Sequence, residues 1–245
     1  MFASMLLLLS DNRRTRLIPH FVSFATGTLL GAAFLGLLPH ALESAQGYES
    51  HNIMLTVLVG LLSFFLLEKL VLWRHCHSSH CEAHGVEPSH DEGHHHKAST
   101  GSLLVIGDVL HSFVDGVLIA AAFMTNILLG VVTSLAIVAH EIPQQISNFI
   151  VLLQGGRGTK KALFLNTFSS VGTVVGGVVG YYSLHNMQHV LPYTLAIAAS
   201  GFIYIAVSDL IPGLHKRTAP IEIVQQMTLI SIGAVLMYLI NASLH

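Results

Sequence analysis

GSLLVIGDVLHSFVDGVLIAAAF, residues 101–123, is a run long enough to cross a bilayer that nevertheless carries Asp108, His111 and Asp115. A hydrocarbon core about 30 Å thick needs roughly 20 apolar residues in a helix. Ionisable groups inside such a span are costly, and each is a functional candidate unless it is paired structurally. Positions i, i+3 and i+7 lie on one face of a helix, so Asp108, His111 and Asp115 point together as three potential ligands.

The next apolar run, residues 127–153, holds a second polar group, Ala139-His140-Glu141-Ile142-Pro143-Gln144-Gln145. Helical spacing puts His140 beside Gln144, and Glu141 beside Gln145 on the adjacent face. Pro143 lacks an N–H and crowds the preceding turn, which predicts a kink and an unpaired Ala139 carbonyl. Freed backbone at membrane depth is tolerated inside protein or beside a watery cavity. The zinc-protease signature needs a second His four residues after the first, on an unbroken helix. Gln144 stands there instead, and Pro143 interrupts the turn. A lone buried His is usually a satisfied core residue, but two His and three carboxylates on consecutive apolar helices are hard to bury without a cation. Metal ligation is the expectation for this group.

The whole chain repeats the pattern of long apolar blocks. Its 245 residues are 52% apolar and 10% charged, against about 25% charged in soluble domains. Seven complete spans are expected, over residues 17–44, 51–73, 101–123, 127–153, 161–184, 190–214 and 222–244. Met1 to Leu9 is apolar but too short to cross, and Arg13, Arg14 and Arg16 follow it where a signal peptide's basic residues would precede. It reads as the tail of a curtailed first helix. Basic residues gather in alternate loops: Arg74 and Lys97, then Arg157, Lys160 and Lys161, then Lys216 and Arg217. Cytoplasmic loops collect Lys and Arg, so an integral multi-pass protein with extracytoplasmic termini is expected, in a membrane the sequence does not name. A net charge of -2 with no basic patch or phosphate loop gives no support to nucleic acid as a partner.

One hydrophilic insertion interrupts this single transmembrane domain of residues 1–245. The cytoplasmic loop over residues 75–99 contains eight histidines, at 75, 77, 80, 84, 90, 94, 95 and 96, with Cys76 and Cys81. Imidazole and thiolate suit zinc and its neighbours, but the spacing fits no closed finger. Metal capture and a plain solvated linker both remain open readings. Gly176 and Gly180 form a small-xxx-small pair that would serve either bundle packing or a homodimer.

Gly107 to Gly116 and His140 to Gln145 together resemble the paired fourth- and fifth-helix motifs of the ZIP (Zrt/Irt-like) metal transporters, an eight-helix family. Its fourth helix typically reads His-Asn-x-x-Asp-Gly and its fifth His-Glu-x-Pro. Leu38-Pro39, Asn166 with Ser169 and Ser170, and Ser208-Asp209-Leu210-Ile211-Pro212 match other helices, and the histidine-rich loop falls between family helices 3 and 4. The resemblance implies an all-α, eight-helix ZIP-type bundle with its first helix truncated. It also implies inward transport of a divalent metal ion, zinc first, with Fe²⁺, Mn²⁺ and Cd²⁺ admitted by the same ligand chemistry. The primary site would fall on His111, Asp115, His140 and Gln144, with Glu141 facing a second site.

The departures from the family pattern remove charge or strong ligands. Ser112 replaces the usual Asn, Gln144 and Gln145 stand for His and Glu, and Asn148 stands for an Asp. Gly36, His40 and Gly213 replace further His and Glu residues. They bear on a two-metal centre more than on the primary site. The expected metal set is therefore His111, Asp115, His140, Glu141, Gln144 and Asp108, with metal as cargo rather than cofactor and no enzymatic role. An intramembrane zinc hydrolase and a sensor built on the histidine-rich loop are the rival classes. Ligands clustered on two adjacent helices suit a path better than a closed catalytic pocket.

Overall fold

The computed structural model describes residues 11–44, 50–75, 96–185, 187–215 and 218–242. Met1 to Leu9 and the cysteines and most histidines of the hydrophilic loop lie outside the described residues. Helix α1 runs over Asp11–Gly31, widens over Ala32–Leu37 and resumes over Leu38–Ser44. Then follow α2 (Ser50–His75), α3 (His96–Thr125) and α4 (Ile127–Gln154). Helix α5 is broken at Ser170 into Thr159–Ser169 and Val171–His185. Helix α6 comprises Leu191–Ile205, a wide segment Ala206–Leu210 and Ile211–His215, and α7 is Pro220–Ala242. Seven helices among the described residues are long and apolar enough to cross a membrane, as the hydropathy blocks predict.

The outward faces are apolar. Leu62, Leu66 and Val235 are more than half exposed, and only 11% of the spanning windows of α2 and α7 is buried. Such surfaces require lipid as solvent. Several hydroxyl side chains bond within their own helices, as Ser63 Oγ donating to the Val59 carbonyl at 2.7 Å and Thr26 Oγ1 to Val22 at 2.8 Å.

Glycine sets the closest helix contacts, where apolar lipid leaves packing to do what hydrophobic burial does in water. A Cβ on Gly172 would lie 2.6 Å from the Val109 carbonyl oxygen, and one on Gly180 would lie 2.9 Å from Val117 Cα. One on Gly176 would run into the Phe113 carbonyl. All three glycines therefore face α3 from α5. The Gly176–Gly180 pair is buried against α3 and packs within the bundle.

Two of the prolines inside these spans, Pro39 and Pro212, are preceded by a widened turn. Ahead of Pro39 the Leu38 N–H reaches back five residues to the Ala33 carbonyl, and ahead of Pro212 the Ile211 N–H reaches Ala206. These π turns move the ring away from the carbonyl it would strike. Pro39 still cannot donate to Leu35, and Asn241 Nδ2 on α7 donates to that carbonyl instead. Helix α4 differs: it stays α-helical through Pro143 with no wide turn. Asn241→Leu leaves the half-buried Leu35 carbonyl without this donor and is expected to cost about 1 kcal/mol. Thermal unfolding in detergent should show the loss, and it should shrink in a Pro39→Ala background, where the backbone donor returns.

Candidate metal centre

Helices α3 and α4 are joined by one extended residue, Asn126, whose side-chain oxygen accepts from the Leu128 N–H at 2.8 Å and starts α4. His111 lies fifteen residues before Asn126 and His140 fourteen after it. At 1.5 Å per residue these are about 22 and 21 Å from the turn. The two imidazoles thus meet at one depth on antiparallel neighbours.

Their geometry is compatible with holding a metal ion. His111 Nε2 and His140 Nε2 are 3.4 Å apart, and Asp115 Oδ2 lies 3.5 Å from the first and 3.4 Å from the second. A tetrahedral ion with bonds of about 2.1 Å has its ligand atoms about 3.4 Å apart, so this triangle matches one face of a zinc tetrahedron. Glu141 completes a group whose ligand atoms all lie within 4.8 Å of one another. Its Oε1 accepts from Gln145 Nε2 at 2.7 Å, while Oε2 has no hydrogen-bond partner among the described residues.

The tautomer of His140 follows from its outer contact. Nδ1 lies 3.1 Å from the Ala136 carbonyl oxygen, which can only accept, so the neutral ring carries its proton there. Nε2 then presents a lone pair toward Asp115 Oδ2, which itself has no hydrogen-bond donor among the described residues. Both groups are almost completely buried, His140 at 1% and Asp115 at 2% exposure. Two lone pairs facing each other repel, and a cation between them removes the conflict.

A cavity of about 360 Å³ reaches this group at His140. His140, Gln144 and Asn148 of α4 line it with Val22 of α1 and Asp209 and Gly213 of α6. These residues lie toward the end of the bundle at which Arg157, Lys160 and Lys161 follow α4. Toward the other end the route is filled by Leu29, Ala33, Leu129, Val132 and Ala136 in the main core. The Phe202 ring closes on His140, with centroids 6.3 Å apart.

A match to the ZIP Zinc transporter family model covers residues 1–102 and 72–241. The chain belongs to the ZIP family. This ZIP chain is 28% identical over 236 residues to Zinc transporter ZIP13 of Pongo abelii, covering 91% of itself and 67% of that protein. It is 29% identical to Zinc transporter zipt-7.2 of Caenorhabditis elegans, over 91% of itself and 58% of the relative. It is 27% identical to Zinc transporter SLC39A7 of Rattus norvegicus, over 93% of itself and 66% of the relative. The chain therefore spans about two thirds or less of the length of these relatives.

Of the six residues expected from the sequence, His111, Asp115, His140 and Glu141 converge in this ZIP protein. Asp108 and Gln144 are joined by a hydrogen bond from Gln144 Nε2 to Asp108 Oδ1 at 3.3 Å, and Gln144 lines the cavity with His140. The same oxygen accepts from Asn148 Nδ2 at 2.7 Å. Two contributors had no signal of their own in the sequence, the Ala136 carbonyl and the Phe202 ring; Asp209, a cavity wall, is a third residue beyond the expected set. Asp209 does lie in a quoted motif, and its ionisable side chain within a span was the available clue.

Proposed function

We propose that this ZIP protein carries a divalent metal ion, zinc first, across the membrane through a site made by His111, Asp115 and His140. The observation that carries the reading is the triangle of two imidazole nitrogens and one carboxylate oxygen with edges of 3.4–3.5 Å. Two neutral imidazoles and one carboxylate leave an ion a net single positive charge, a hold loose enough for a carrier, which must also let go. Glu141, with one free oxygen, flanks the shell. The relatives, zinc transporters all three by name, favour zinc among ions of similar ligand preference.

Access from one side suits alternating access, in which helices rock about a fixed site. The filled side contains the small contacts of Ala33, Ala136 and Phe202, and the open side ends among basic loops. By the bias of Lys and Arg that end faces the cytosol, so release is inward. No nucleotide-binding motif occurs in the sequence, and the metal's own gradient or a coupled ion supplies the drive.

Uptake of radiolabelled zinc into proteoliposomes tests the assignment. His111→Ala and His140→Ala are each expected to reduce initial uptake by more than about tenfold, since loss of an outer-shell partner alone costs roughly 10–100-fold in metal affinity. Equal uptake by the wild type and both variants would sink the site.

A further inference from the structure

Asp108 is a buried carboxylate, 6% exposed, that neither lines the cavity nor belongs to the four-residue metal group. It is held from the neighbouring helix by two amides, Gln144 Nε2 at 3.3 Å and Asn148 Nδ2 at 2.7 Å, both on Oδ1. Gln144 and Asn148 in turn line the cavity next to His140. An amide has a donor end and an acceptor end that are nearly the same size, and nothing about the side chain itself selects which end faces where. A carboxylate oxygen only accepts, so it selects.

We propose that Asp108 is a positioning residue, which holds the Gln144 amide with its N–H end toward α3 and its carbonyl end toward the ion's route past His140. This rests on the metal-transport reading of the neighbouring site. A positive N–H edge turned into that route would repel the cation, whereas the carbonyl oxygen Oε1 gives a neutral oxygen ligand within reach of an ion passing His140. Asp108 therefore acts on the ion through Gln144, not by coordination. The bond from Asn148 supplies a second donor to the same oxygen, which offsets the cost of burying the carboxylate between the helices.

The test is zinc uptake kinetics in proteoliposomes for Asp108→Asn, Gln144→Glu and the double variant. The side chain introduced by Asp108→Asn can accept or donate, so the Gln144 amide loses its enforced orientation. The KM for zinc is expected to rise about tenfold, at the low end of the effect of outer-shell partners, with the maximal rate within about twofold of wild type. The carboxylate introduced by Gln144→Glu shows an oxygen on both arms and needs no orienting, and in the double variant the new amide on α3 can donate to one of them. The double variant is therefore expected to return KM to within about threefold of wild type. Gln144→Glu alone sets carboxylate against carboxylate and is expected to transport worse than the double variant.

An unchanged KM in Asp108→Asn overturns the proposal. So does a fall in maximal rate and thermal stability that Gln144→Glu leaves unrepaired, because that pattern marks a merely structural clamp. His111→Ala run alongside separates the two levels. If His111→Ala is inactive while Asp108→Asn has wild-type KM, positioning fails and the transport site stands. If His111→Ala transports normally, the site itself fails.

Discussion

Asp115→Asn is expected to abolish zinc uptake while making the metal-free protein more stable to heat. The substitution keeps the shape of the side chain and removes the only charge in the His111, Asp115 and His140 triangle. Without it the ion would be held by two neutral imidazoles and a neutral amide, and a loss of more than about a hundredfold in affinity is expected, beyond the range for outer-shell changes. The stability effect has a separate cause. In the neutral tautomer, in which His140 donates through Nδ1 to the Ala136 carbonyl, the Nε2 lone pair faces Asp115 Oδ2 at 3.4 Å. An amide Nδ2 at that position donates to Nε2 and converts a repulsive contact into a hydrogen bond worth about 1 kcal/mol. Melting of the detergent-solubilised protein with and without zinc reads both effects. The wild type should melt higher with zinc, because an ion that binds only the folded state stabilises it by mass action. The variant should start higher and gain nothing. A metal-free variant that melts below wild type would contradict this account of the triangle, and retained uptake would contradict the role of Asp115.

How far such a site can be seen in advance depends on which interactions are local. The spans follow from runs of apolar residues, and the shared face of His111 and Asp115 follows from helical periodicity. The meeting of His111 with His140 was also legible, since near-equal counts to either side of Asn126 place them at one depth. The rest depends on choices made across helices. Pro39 and Pro212 each come with a wide turn and Pro143 does not; the residue type is the same, and the partner helices differ. Asp108 shares a face with His111 in the sequence, yet its oxygen is taken by Gln144 and Asn148, a matter of side-chain reach that spacing does not encode. Gln144 reads as a ligand from its register with His140, but that register does not reveal that its amide N–H is bonded to Asp108. Gly176 and Gly180 gave a motif with two uses, of which bundle packing is shown by the location of α3.

That location leads to the second large effect. Gly176→Ala is expected to lower both stability and transport, while Gly177→Ala, one residue away, leaves both near wild type. A Cβ on Gly176 would collide with the Phe113 carbonyl oxygen and lie 2.8 Å from its carbon and 3.0 Å from its Cα. These are backbone atoms, which no rotamer change can move, so α5 and α3 must separate by on the order of 1 Å, at a typical overpacking cost of about 1–3 kcal/mol. Phe113 sits between His111 and Asp115 in the chain, and a shift of its backbone carries both ligands away from His140 on α4. Sites of this kind tolerate about 0.5 Å of error, so uptake should fall by about tenfold or more even in protein that remains folded. A Cβ on Gly177 meets only the Gly116 carbonyl oxygen, at 3.7 Å, an ordinary contact. Alanine there also removes the helix penalty of glycine, worth up to about 1 kcal/mol. Zinc uptake normalised to reconstituted protein, with melting curves of the two variants, makes the comparison. Equal behaviour of Gly176→Ala and Gly177→Ala would show that the α3–α5 contact is not what holds His111 and Asp115 in register with His140.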